Sequence, residues 1–116
     1  MFRFETLEIW HHAVQYIKKI YQLTNYFPKE ELYGLTSQLR RSAVSVAANI
    51  AEGSASQTKM TFKMFLNYSI GSLAENIAEL LIAKELNFTD KEKIGELYQE
   101  AEILIKRITA FKNYLK

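Results

Sequence analysis

The chain has 116 residues, of which 48% are apolar, and a formal net charge of +2. That length fits one domain spanning 1–116, with enough aliphatic and aromatic material for a core, and excludes a disordered polar chain. The lack of cysteine excludes a disulfide framework, a thiolate metal site and a cysteine nucleophile, while so small a positive charge makes no general case for nucleic acid.

The opening "MFRFETLEIWHH" meets its first charge before any apolar run of signal-peptide length, and no later segment approaches a membrane span. The expectation is a soluble, cytoplasmic protein with no membrane partner.

One proline and four glycines leave few helix breaks. The first segment, residues 5–26, places Leu7, Trp10, Val14, Ile17, Tyr21 and Thr24 at steps of three and four, with Ile20, Leu23 and Phe27 widening the stripe until Pro28 ends it. The second, residues 31–52, starts near Pro28-Lys29-Glu30 and stops at Gly53, which is assigned the left-handed position after the helix. A short polar "GSASQ" loop then turns the chain back.

The third segment, residues 57–87, carries Phe62, Phe65, Leu66, Ile70, Leu73, Ile77, Leu80 and Leu81 on one side. Gly71 costs it about 1 kcal/mol of helix propensity, so close packing or a slight bend is predicted there. Thr89 with Glu92 makes a capping box for the fourth segment, whose core positions are Ile94, Leu97, Ala101, Leu104, Ile108, Phe111 and Leu115. The fold class is therefore all-α, an up-down-up-down antiparallel four-helix bundle.

Chemistry is sparse. His11 and His12 are adjacent, point about 100° apart on a helix and cannot share a metal as an i, i+4 pair does. Glu75 and Glu79 are four apart, yet the glutamate-x-x-histidine partner of a di-iron bundle is missing. "GSAS" lacks the glycines and lysine of a phosphate loop, and nothing sets a serine beside a histidine and an acid. No catalytic residue, metal ligand or cofactor is assigned, and the protein is expected not to be an enzyme. In "TKMTFKMFLNY" the aromatics fall on the core stripe, leaving Lys59 and Lys63, one turn apart, to meet phosphate.

"RRSAVSVAANIAEG" separates into three faces at 100° per residue. Leu39, Ala43, Val46 and Ile50 form the core side. Gln38, Arg41, Ser42, Ser45, Asn49 and Glu52 form a polar strip, in which Ser45, Asn49 and Glu52 read as a hydrogen-bonded helix junction. Arg40 shares the third face with Val44, Ala47 and Ala51. Two readings stay open. Arg40 and Arg41 pair with carboxylates such as Glu75 or Glu79 inside one bundle, or Val44, Ala47 and Ala51 form a subunit interface and the arginines link subunits or face an anion. Arg40, Arg41, Lys59 and Lys63 are thus candidates for nucleic-acid or inter-helix contact.

"LTNYFPKEELYGLTSQLRRSAVSVAANIAEG" with "FLNYSIGSLAENIAELLIAKELNF" closely resembles the four-helix-bundle family of 23S rRNA intervening-sequence proteins, once classed as ribosomal proteins and related to the accessory variability determinant of diversity-generating retroelements. The resemblance runs from "FETLEIW" to the last helix, and Arg40, Arg41, Asn49, Glu52 and Gly53 match its motif. It implies a homo-oligomer, a pentameric ring, without catalysis, and in the retroelement branch binding of RNA or DNA and of a reverse transcriptase. The chain departs from the pattern at Ala47, where members usually carry proline, and after "AEG", where Ser54 to Thr58 replace a basic run. The resulting expectation is a non-enzymatic homo-oligomeric binding or scaffold protein that binds RNA or DNA, the alternative being a purely structural self-assembling protein.

Overall fold

The computed structural model describes residues 1–115. Four helices, α1 (Glu8–Thr24), α2 (Leu35–Ser54), α3 (Lys59–Glu85) and α4 (Lys91–Tyr114), form an antiparallel up-down-up-down bundle 44 Å long. Each helix packs on its two neighbours, α4 closing back onto α1. The sides α2 and α4 turn toward the core are those their apolar spacing marks: Leu39, Ala43, Val46 and Ile50, then Ile94, Leu97, Ala101, Leu104 and Ile108, are all buried.

The chain starts differently from the expected single helix. Residues Arg3–Thr6 make a 3-10 turn, and the Arg3 guanidinium lies 5.0 Å from the centre of the Phe62 ring at the start of α3. The buried residues of α1 are Ile9, Ala13, Tyr16, Ile20, Leu23 and Thr24, with Phe27 just beyond it: Ile20, Leu23, Thr24 and Phe27 are buried as predicted, whereas Ala13 and Tyr16 take the core positions expected of Val14 and Ile17, and Tyr21 is 41% exposed. A small alanine and a hydroxyl-bearing tyrosine hold core positions, so apolar counting favoured the bulkier neighbours. On α3, Leu81 likewise faces out, and the core contains Ser69, Asn76 and Glu79 among its leucines.

The helix ends correct three further expectations. Residues Lys29–Glu31 form a separate 3-10 turn, and α2 begins only at Leu35, whose amide donates to Glu31 Oε1 at 3.1 Å. Gly53 lies inside α2, without a positive φ. It is needed for contact: a Cβ there would sit 2.8 Å from Phe65 Cβ and 2.9 Å from Phe62 Cδ1 of α3. The left-handed residue is Asn87 after α3 (φ 58°), where Asn87 N donates to Lys84 O and Phe88 N to Ala83 O, the pairing of a Schellman cap. Helix α4 is capped by Asp90, which accepts from Glu92 N at 2.8 Å, in place of the predicted Thr89. Around Gly71 nothing lies within 4 Å of where a Cβ would be, so close packing does not account for it.

Candidate functional site

The polar strip of α2 is the best-built polar feature of the bundle. Tyr16 Oη on α1 donates to Asn76 Oδ1 on α3 at 2.6 Å, and Asn76 Nδ2 donates to Leu39 O at 2.9 Å and to Ser42 Oγ at 2.8 Å. Ser42 Oγ in turn donates to Glu79 Oε1 at 2.7 Å. The result is one run of donors from a phenol to a carboxylate. Among the described residues no buried side-chain nitrogen or oxygen lacks a partner. Burial drives the Glu79 carboxyl above the usual carboxylate range, with Glu75 adding to the rise and the Ser42 hydrogen bond opposing it. Burial also pushes the Tyr16 phenol up, helped by Glu100.

The junction expected at Ser45, Asn49 and Glu52 is present in part, at Ser45 with Asn49 behind it, and a buried junction lies one turn earlier on α2. Ser45 Oγ meets Ser72 Oγ at 2.9 Å, Asn49 Nδ2 turns back to Ser45 O at 2.9 Å, and Glu52 is exposed. Ser42, Asn76, Glu79 and Tyr16 form the buried one. The available signal was the recurrence of polar residues, Ser69, Asn76 and Glu79, among the core-facing positions of α3 beside Leu66, Leu73 and Leu80.

Arg40 and Arg41 part company. Arg40 Nε donates to Thr24 Oγ1 at 2.9 Å and Nη2 to Asn25 Oδ1 at 3.0 Å, with the guanidinium 4.6 Å from the Tyr21 ring centre. It therefore holds the C-terminal end of α1, whose last turn has no basic residue of its own, where a positive charge is favoured by the helix dipole. The predicted pairing of Arg40 and Arg41 with Glu75 or Glu79 is overturned: Glu79 is occupied by Ser42, and the ion pairs among the described residues are His12–Glu100, Lys19–Glu100 and Arg107–Glu8. Arg41 is exposed.

Around Arg40 and Arg41 lies an open cleft of about 450 Å³ lined also by Tyr21, Leu32, Tyr33, Ser37 and Val44. Tyr33 is 94% and Val44 42% exposed, whereas Ala47 is buried at 6% within the chain and Ala51 is half-buried. Of the third-face residues, only Val44 is freely presented. Lys59 and Lys63 stand at the far end, in the first turns of α3.

A second polar seam joins α1 to α4 in the order Glu8, Arg107, His12, Glu100, Lys19. Arg107 Nη1 lies 2.9 Å from His12 Nδ1, and since a guanidinium only donates, that nitrogen accepts and the ring proton sits on Nε2, toward Glu100. Burial, then Arg107, lowers the His12 pKa against the pull of Glu100. His11 Nε2 instead lies 2.7 Å from Glu5 O. Among the described residues no group of three or more histidines and acids is placed to hold a metal.

The family model of the 23S rRNA-intervening sequence protein matches residues 5–110. The chain belongs to that family. Most of the motif block on α2 has structural duties in this member, as core, α1 clamp, polar junction and close approach at Gly53, while Arg41 and Glu52 are exposed. A crystal structure of a protein of unknown function from the S23 ribosomal protein family of Bacteroides thetaiotaomicron shares the fold, with a TM-score of 0.82 at 17% identity over 90% of this chain and 97% of that one. No curated protein matches this family member in sequence. Among the described residues no helix is long and apolar enough to cross a membrane.

Proposed function

We propose that this family member is a non-enzymatic, homo-oligomeric bundle of the cytoplasm, assembling as a pentamer and acting as a binding or scaffold module, with RNA or DNA as its first partner class. The observation that carries self-assembly is the face holding Tyr33, Leu32 and Val44 beside two arginines. Exposed tyrosine and arginine around an open apolar cleft is the composition of protein interfaces. The interface centres on Val44 and Tyr33, with Ala51 at its edge and Ala47 already covered by the chain itself. A reverse transcriptase becomes a partner where the gene stands beside one.

Sedimentation of the purified protein tests assembly. The wild type runs as an oligomer, and Val44→Asp dissociates it without lowering helicity; a wild-type monomer at micromolar concentration would sink the reading. Fluorescence anisotropy with ribosomal RNA fragments tests the partner, with affinity falling steeply as salt rises. The alternative, a purely structural self-assembling protein, is favoured by the engagement of Arg40 with α1, which removes one cation from service. Flat anisotropy at low salt with an intact oligomer would select it.

A further inference from the structure

The charges of the bundle are unevenly distributed along its length. From Lys59 to Ala74 on α3 and from Ile103 to Tyr114 on α4 there is no aspartate or glutamate. These two stretches meet at one end of the molecule, where Lys112 Nζ donates to Asn67 Oδ1 at 2.9 Å. Lys59, Lys63, Lys106 and Lys112 have no carboxylate within ion-pair distance among the described residues. The first turn of α3 carries Lys59 and no acid, so the positive end of that helix dipole adds to the lysines. At the other end, Glu85, Asp90, Glu92 and Glu96 are interleaved with Lys84, Lys91 and Lys93 around the α3–α4 connection, so the cations there are compensated.

The outer strip of α3 between these lysines and α2 runs Met60, Met64, Tyr68 and Gly71, all exposed. Tyr68 is 50% exposed, and its ring is braced edge-on by Phe65 at 5.4 Å and 85°, which leaves a face free to stack with little ordering cost. Gly71 weakens the helix and no neighbour approaches it, so the strip stays low enough for a chain to lie on the backbone.

We infer, resting on the nucleic-acid reading above, that this acid-free strip binds a single strand, with Lys59, Lys63 and Lys112 meeting phosphates and Tyr68 stacking on a base. Duplex hides the base faces that Tyr68 needs, so single strands bind more tightly. Arg41, at the other end, takes no part.

Anisotropy of a labelled oligothymidylate and of its duplex with oligoadenylate, across a salt series, tests the inference on the full chain. Lys59→Glu/Lys63→Glu lowers single-strand affinity at least about tenfold and flattens the salt slope by roughly 1.4. Tyr68→Ala lowers it by about tenfold while leaving that slope unchanged. Lys91→Glu, an exposed cation at the opposite end of the bundle, changes neither, and circular dichroism with sedimentation shows the strip variants and this control folded and assembled as the wild type. Lys59→Gln/Lys63→Gln, which only neutralises the pair, gives a smaller loss of the same kind if the reversed charges disturb the fold. Binding that survives the lysine and tyrosine changes but falls with Arg41→Glu would overturn this site and leave the nucleic-acid reading standing. No oligonucleotide binding at low salt would overturn both, as would capture by anionic phospholipid vesicles alone. A changed oligomeric state in the lysine variants would reassign the strip to self-assembly and overturn the inference.

Discussion

Tyr16 and Asn76 join two helices that are diagonal in the bundle, the phenol of α1 donating across the core to the amide of α3 at 2.6 Å. Both amide protons of Asn76 are used there as well, donated to Leu39 O and Ser42 Oγ. Tyr16→Phe removes one donor and leaves Asn76 Oδ1 unpaired, at a cost of about 1–3 kcal/mol. Asn76→Ala orphans the phenol as well and opens a cavity, so it costs more. Urea unfolding measures both; equal stability of Tyr16→Phe and wild type would show the bond contributes nothing net.

The glycines of α2 and α3 respond in opposite directions. Gly53→Ala drives a methyl group against Phe62 and Phe65 and costs about 1–3 kcal/mol as the helices are forced apart. Gly71→Ala meets open space on a helix and stabilises by about 0.5–1 kcal/mol. Thermal melting of the pair decides it, and a stabilised Gly53→Ala would remove the close-approach explanation.

Stability depends on pH through two groups of opposite sign, the half-buried His12 and the buried Glu79. His12 has a lowered pKa in the fold, so as pH falls below about 6.5 the unfolded chain takes a proton first and stability drops. Glu79 has a raised one, so as pH falls through its folded value toward the ordinary range near about 4.3 the folded state takes a proton first and stability rises. His12→Gln removes the drop and Glu79→Gln removes the rise. Urea midpoints followed between about pH 4 and 8 separate them, and parallel profiles for wild type and both variants would contradict the assignment.

Adjacent arginines differ in their structural weight. Arg40→Ala loses two hydrogen bonds and the Tyr21 contact and costs about 1–2 kcal/mol, while Arg41→Ala stays within about 0.5 kcal/mol of wild type. Chemical denaturation of the two single variants checks the contrast, and similar losses would mean Arg41 also holds the fold.

The bundle was legible because aliphatic spacing on α2 and α4 is unambiguous, and Ile50 or Leu104 could face only inward. Thr24 was on the predicted stripe, but what escaped was the polar junction inside the core. Tyr16, Ser42, Asn76 and Glu79 each look like surface residues alone, and only their mutual pairing makes burial affordable. The carboxylate pairing of the arginines, one of the two readings, failed for a related reason: a nearby carboxylate is the obvious partner in a sequence, but a helix end offering a threonine hydroxyl and an asparagine side-chain oxygen is equally able to receive a guanidinium. Gly53 was misread because a glycine after an apolar run fits both a helix stop and a close contact, and only the position of Phe62 and Phe65 separates the two. Lys59 and Lys63 are visibly one turn apart in the sequence, but the lack of acids on the facing stretch of α4 becomes meaningful only once the two helices are seen to run side by side.

The donor run from Tyr16 through Asn76 and Ser42 to Glu79 also has a topological consequence. It draws one side chain from each of α1 and α2 and two from α3, and every donor points the same way. Sliding any of these helices by a turn, or exchanging α2 with α4 around α1, would strand all four groups in an apolar interior at once. Leucine packing alone tolerates such rearrangements, because one aliphatic layer resembles the next. The buried chain thus acts as a key that admits a single alignment of the three helices, and the four positions are bound to vary together or not at all.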